Sequence, residues 1–99
     1  MSRRGENFYD KWDIDYSNST RFELGDVLLL KSTFSYTPVD YESLGFVGTI
    51  EMCEQGNLAI VLKVRREYIV VSFPSMNHIA IIDTPTWWFK NLSHEKRQD

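Results

Sequence analysis

Five runs of β-branched, aliphatic and aromatic residues occupy positions 24–31, 46–54, 58–65, 68–73 and 79–83, and short turn signals part them. That spacing predicts a compact, largely antiparallel β-domain. The stretch at 27–30 is apolar at every position, which predicts a strand covered from both sides. In the second run Phe46, Gly48, Ile50 and Met52 share one face, and Thr49, Glu51 and Cys53 the other. Gln55-Gly56-Asn57 is a turn signal, because Gly and Asn tolerate positive φ. Leu58, Ile60, Leu62 and Val64 then continue one face, with Lys63 and Arg65 opposite. Arg65-Arg66-Glu67 connects tightly into residues 68–73. These features predict a three-strand meander over residues 46–73, ended by Pro74, which cannot donate to a ladder. Ser75-Met76-Asn77 turns the chain into a further strand. Trp87-Trp88-Phe89 reads as a short helical turn or a last edge strand.

The segments between and around these runs are polar. Residues 1–21 form an extension in which Phe8, Trp12 and Tyr16 recur every four positions, the spacing that aligns them on one face of a short helix. Residues 32–45 form a long loop holding Phe34, Tyr36, Asp40, Tyr41 and Glu42. Loops of that length inside a compact domain are uncommon and often functional. Residues 91–99 are charged and expected to fray. The expected organisation is an extension (1–21), a β-domain (22–90) and a flexible tail (91–99).

Ninety-nine residues with 42% hydrophobic and 25% charged content make one ordinary globular domain with one core. No apolar run approaches the roughly 20 residues that cross a bilayer, so no membrane partner is expected. The start, Met1-Ser2-Arg3-Arg4, lacks the apolar stretch of a secretory leader, and a cytoplasmic location is expected. A single cysteine, Cys53, fits a reducing compartment. The net charge of −3 is uneven: residues 22–62 hold six acids against Lys31 alone, whereas residues 63–99 hold six bases against four acids. An acidic middle opposes sequence-blind coating of DNA and suits a basic partner.

Two short strings add a resemblance. Leu24-Gly25-Asp26-Val27 resembles the opening of the first strand in SH3-like barrels, and Gly45-Phe46-Val47-Gly48-Thr49-Ile50 resembles the glycine turn of KOW-type modules. The succession of a strand, a long loop, a three-strand meander and a short final strand is also similar to theirs. Over residues 24–89 the resemblance implies a small five-stranded antiparallel SH3-like barrel, used as a docking module beside transcription, translation or chromatin machinery. KOW-type modules carry lysines around the glycine turn, where this chain has Glu42, Ser43 and Glu51. The Trp pair follows the fourth strand, away from where peptide-binding SH3 domains carry theirs. Neither RNA binding nor proline-peptide binding therefore transfers with the resemblance.

Catalysis is not expected. Cys53 with His78 or His94 is the one thiol–imidazole combination available, but Cys53 sits in an alternating strand and His94 in the tail. The histidines and the cysteine lack the close spacing of a zinc site, and no phosphate-cradling glycine loop is present, so neither metal nor cofactor is expected.

The stronger lead is the surplus of aromatic residues, 14% of the chain. Tyr and Trp give large contact area at low entropic cost and dominate binding hot spots. Tyr36 and Tyr41 in the long loop, flanked by Asp40 and Glu42, and Trp87 with Trp88 are the candidate protein-binding residues. Adjacent residues near strand geometry point to opposite sides, so one Trp is expected in the core and the other at the surface. Lys63, Arg65 and Arg66 are a second candidate, either a nucleic-acid or carboxylate contact or a solvated hairpin tip. The expected function is a non-catalytic interaction module, monomeric or paired through edge strands, that docks on and modulates a larger protein, such as a nucleic-acid-processing machine. A small acidic domain of this kind suits an accessory or inhibitory protein, including one carried by a virus. The alternatives are low-affinity nucleic-acid binding through the basic cluster and, last, a small enzyme.

Overall fold

The computed structural model of the chain describes residues 22–97. The helix expected across Phe8, Trp12 and Tyr16 lies outside the described residues. The elements run β1 (Val27–Leu30), β2 (Phe34–Tyr36), β3 (Glu51–Cys53), β4 (Leu58–Val64), β5 (Ile69–Phe73), β6 (His78–Ile82), the single helical turn α1 (Pro85–Trp88), β7 (Phe89–Asn91) and α2 (Leu92–Arg97). The protein is mainly β, as its sequence implies. Five strands form one antiparallel sheet in the order β6-β5-β4-β1-β7, and β2 pairs with β3 in a separate two-stranded sheet.

The expected five-stranded barrel is not seen as a closed cylinder. Among the described residues no ladder joins the two sheets; a backbone bond from Val39 N–H to the Ile79 carbonyl links the β2–β3 excursion to β6. The meander is also displaced. It is built by β4, β5 and β6, not by residues 46–73. The turn at Gln55-Gly56-Asn57 does not fold β3 back on β4. Gly56 N–H instead donates to the Leu30 carbonyl, and Leu30 N–H donates to the Asn57 carbonyl, so the turn is held against the end of β1.

The core follows from the strand period. Leu28 and Leu30 of β1, Ala59 and Val61 of β4, Ile69, Val71 and Phe73 of β5, Ala80 and Ile82 of β6, and Phe89 of β7 are all buried in one cluster. Facing pairs such as Leu28 with Ala59 and Val71 with Val61 and Ala80 set these side chains on the same side of the sheet. Each fully buried aliphatic or aromatic side chain contributes about 1.5–3 kcal/mol. The simple alternation expected for β4 breaks at Leu62. The β4–β5 register shifts between Val61 and Lys63, so Lys63 opposes Val70 while Val64 opposes Ile69 and packs on the core with Ala59 and Val61. One extra residue in a strand produces this switch of faces.

Two local features fasten the sheet. Gly25 has φ +85°, a conformation costly for any residue with a Cβ, and its N–H donates to the Val61 carbonyl. Asp26, next in the chain, is buried and accepts hydrogen bonds at Oδ2 from Glu23 N–H and Asn91 Nδ2, both at 2.9 Å. Asn91 in turn accepts from His94 N–H through Oδ1, capping α2. Residues 92–97, expected as a frayed tail, thus form a helix, and Ser93 Oγ accepts from Val27 N–H of β1 at 3.0 Å.

Candidate functional site

Residues 31–57 make an excursion between β1 and β4, and four of the sequence-nominated residues, Tyr36, Asp40, Tyr41 and Glu42, lie on it. The segment expected as a loop holds β2. Phe34 and Tyr36, two apart, lie on the same side and face Cys53 and Glu51 of β3 in register. An isolated bridge between Val39 and Phe46 extends the pairing toward a turn at residues 40–45. The excursion is therefore a long hairpin with an outgoing arm, a tip and a return arm.

The inner face of the hairpin is an aromatic plug. Phe34 meets Trp88 edge-on with ring centroids 4.8 Å apart, and Tyr36 meets Phe73 at 5.1 Å. Tyr36 was expected as an exposed binding residue; it is instead a core residue, because its strand face turns toward Phe73. Its hydroxyl lies 2.9 Å from His78 Nδ1. Burial first, and then the charges of Cys53 and Glu51, push the Tyr36 phenol up to about 12. Cys53 is fully buried on the same face, and burial, followed by the charge of Glu54, raises its thiol pKa. A thiol held in that state is a packing group rather than a nucleophile. The described residues contain no cluster of three or more His, Cys, Asp or Glu side chains that could hold a metal ion.

The tip is a tightly bonded turn. Asp40 Oδ2 accepts from Ser43 N–H at 2.9 Å and Glu42 N–H at 3.1 Å, while Leu44, at φ 60°, donates to the Asp40 carbonyl. The hydrogen bonds from Ser43, helped by Lys63 nearby, hold the Asp40 carboxyl below its ordinary value. Lys63 Nζ donates to the Tyr41 carbonyl at 2.9 Å and sits 4.4 Å from the centre of the Tyr41 ring. The structure thus joins two groups that the sequence nominated separately: Tyr41 and Asp40 on the tip, and Lys63 on β4. Glu42 is exposed beside them. Arg65 and Arg66 stay exposed at the β4–β5 turn; Arg65 bonds through Nη1 to the Val64 carbonyl, and its backbone N–H donates to the Tyr68 carbonyl.

The Trp pair divides as expected. Trp88 packs on the core beside Phe34, and Trp87 is 66% exposed on α1. α1 is tied to the end of β1, where Lys31 Nζ donates to the Thr86 carbonyl and Lys31 N–H to the Trp88 carbonyl. The hairpin tip is tied to β4, and the arm behind it to β6. Tyr41 and Trp87 thus sit on separate segments, the hairpin tip and α1.

The return arm holds what the sequence reading did not single out. Phe46 is 76% exposed, Ile50 71% and Met52 59%, and Val47 is exposed beside them. An apolar set with a period of two ordinarily marks a buried face. Here burial begins only at β3, where Cys53 shares the side of Phe34 and Tyr36 and Met52 pairs outward with exposed Ser35; residues 45–50 before it are all exposed. The available signal was the β2 alternation Phe34-Ser35-Tyr36, which claims the inner face of the hairpin for its own aromatics. Comparison with protein-family models, with curated proteins and with solved structures finds no match. No described helix is long and apolar enough to cross a membrane.

Proposed function

We propose that the protein is a non-catalytic interaction module that docks on a larger protein through its β2–β3 hairpin and modulates it. The observation that carries this reading is the exposure of Phe46, Val47, Ile50 and Met52 within seven residues of one arm. Isolated exposed apolar residues need no explanation, but a concentrated patch rimmed by polar groups marks an interaction surface. Tyr41, Asp40 and Glu42 at the tip form its polar, acidic rim, and the Lys63 contact holds that rim in place. Trp87 is a further exposed aromatic, carried on α1. A docking role beside nucleic-acid-processing machinery accords with the resemblance to SH3-like barrels. The succession of strand, excursion, meander, helical turn and short last strand supports that resemblance.

Direct nucleic-acid binding is the weaker reading, because Lys63 is engaged with Tyr41 and so is drawn away from the basic cluster. The test is capture from native source cells with the intact chain, beside a Phe46→Ser/Ile50→Ser variant of unchanged circular dichroism. A partner held by the first and lost with the second supports the proposal. Identical captured sets would overturn it.

A further inference from the structure

β3 is the outer strand of its two-stranded sheet. Its partners are Phe34, Ser35 and Tyr36 of β2, and among the described residues no second strand flanks its other edge. The outgoing arm is the one turned toward the large sheet, through the bond from Val39 to Ile79. Strand edges are usually guarded by lysine, proline or a covering element. The return arm, residues 46–53, contains neither lysine nor proline, and Ile50 and Met52 stand exposed along it. A row of unpaired backbone donors and acceptors beside exposed apolar side chains is a template for one more strand.

Charge selects the occupant. Residues 32–62 contain no Lys or Arg, but they include Asp40, Glu42, Glu51 and Glu54. A second copy pairing antiparallel about Met52 would set one acidic, base-free arm beside another, with the two Glu51 side chains as diagonal neighbours on one face, and like charges that close oppose the pairing. A segment in which lysine or arginine alternates with apolar residues has the opposite character. Its cations on one face answer Glu51, and its apolar side chains on the other cover Ile50 and Met52. Resting on the docking reading above, we infer that β3 takes an extended basic segment of a partner protein as an added strand. Main-chain hydrogen bonds supply the affinity, and the alternation of charge and apolar groups supplies the choice of partner.

The probe is a short peptide alternating lysine and valine, with a second version N-methylated at every other residue on the edge that would pair. Amide hydrogen exchange and backbone chemical shifts of the full chain are followed with each peptide. Binding of the first peptide should slow exchange at residues 49–54. N-methylation should weaken it about tenfold or more, and so should Met52→Lys, which places a guard on an exposed position. Equal binding of the two peptides, with shifts still centred on residues 46–53, would overturn strand addition while leaving docking through side chains intact. Shifts confined to other surfaces would overturn the docking reading as well. Protection, in the free chain, of the amides of residues 49–54 that do not bond to β2 would also overturn the inference. If that protection rises with protein concentration, a second copy holds the edge; if it does not, the chain itself does.

Discussion

Lys63 Nζ stands 4.4 Å from the centre of the Tyr41 ring while donating to the Tyr41 carbonyl, so one side chain of the central sheet grips both ring and backbone of the hairpin tip. The shift of register at Leu62 makes this possible, because it moves Lys63 opposite Val70 and leaves Val64 to the core. A bulge in a strand twenty residues away thus orients the acidic rim of the proposed docking arm.

Replacing Lys63 by methionine should therefore loosen the tip without unfolding the domain. An exposed cation–π contact is worth about 0.5–1 kcal/mol. Amide exchange at Leu44 and Gly45 is expected to quicken, while the urea midpoint moves little. A large loss of global stability would show that Lys63 has a wider structural role.

Tyr36 gives a pH dependence with a definite sign. Its folded-state phenol pKa is raised from 10.0 to about 12, so the folded chain keeps a proton that the unfolded chain has already released. The stabilisation tied to the protonated phenol is fully present below about pH 10 and is lost as pH rises toward about 12. Urea unfolding across that window should show falling stability in the natural chain. Tyr36→Phe should flatten the fall, at a cost of about 1 kcal/mol at neutral pH for the lost contact with His78.

Asp26 ties the start of β1 to the end of β7. Asp26→Ala removes the acceptor of Glu23 N–H and Asn91 Nδ2, and a destabilisation of about 2–3 kcal/mol is expected. Asn91→Ala should be less than additive with it, because both changes break the same bond; a double-mutant cycle measures this.

The two adjacent tryptophans should separate cleanly. Trp87→Ala is expected to change stability by no more than about 0.5 kcal/mol, as for other exposed sites. Trp88→Ala opens the contact with Phe34 and should cost about 2–3 kcal/mol, toward the lower end for a large aromatic truncation because Trp88 is only partly buried. Chemical denaturation of both variants checks the contrast.

What the sequence revealed and what it hid follow from the range of the interactions. Strands β1, β4, β5 and β6 are legible because Val27 to Leu30, Leu58 to Val64, Ile69 to Phe73 and Ile79 to Ile82 carry dense β-branched and aliphatic residues. Their partners were harder to read. Residues 51–53 lie beside a good turn signal at Gly56, and local logic joins them to β4. The structure pairs them with Phe34–Tyr36, across a separation that no window of sequence covers. The same non-local choice decides the site. Once Phe34, Tyr36 and Cys53 fill the inner side of the hairpin, Met52 faces solvent, and Phe46, Val47 and Ile50 on the stretch before β3 are exposed with it. Tyr41 and Trp87 were legible as exposed aromatics, whereas the burial of Tyr36 and the engagement of Lys63 depend on tertiary contacts.

The most direct test of docking through the hairpin is a hydrogen-exchange footprint of the intact chain, alone and bound to a captured partner. The account expects slowed exchange over residues 46–53, with the β4–β5 turn at Arg65 and Arg66 unchanged. Protection confined to that turn, or to Trp87 and its helical turn, with the return arm still exchanging freely, would contradict it.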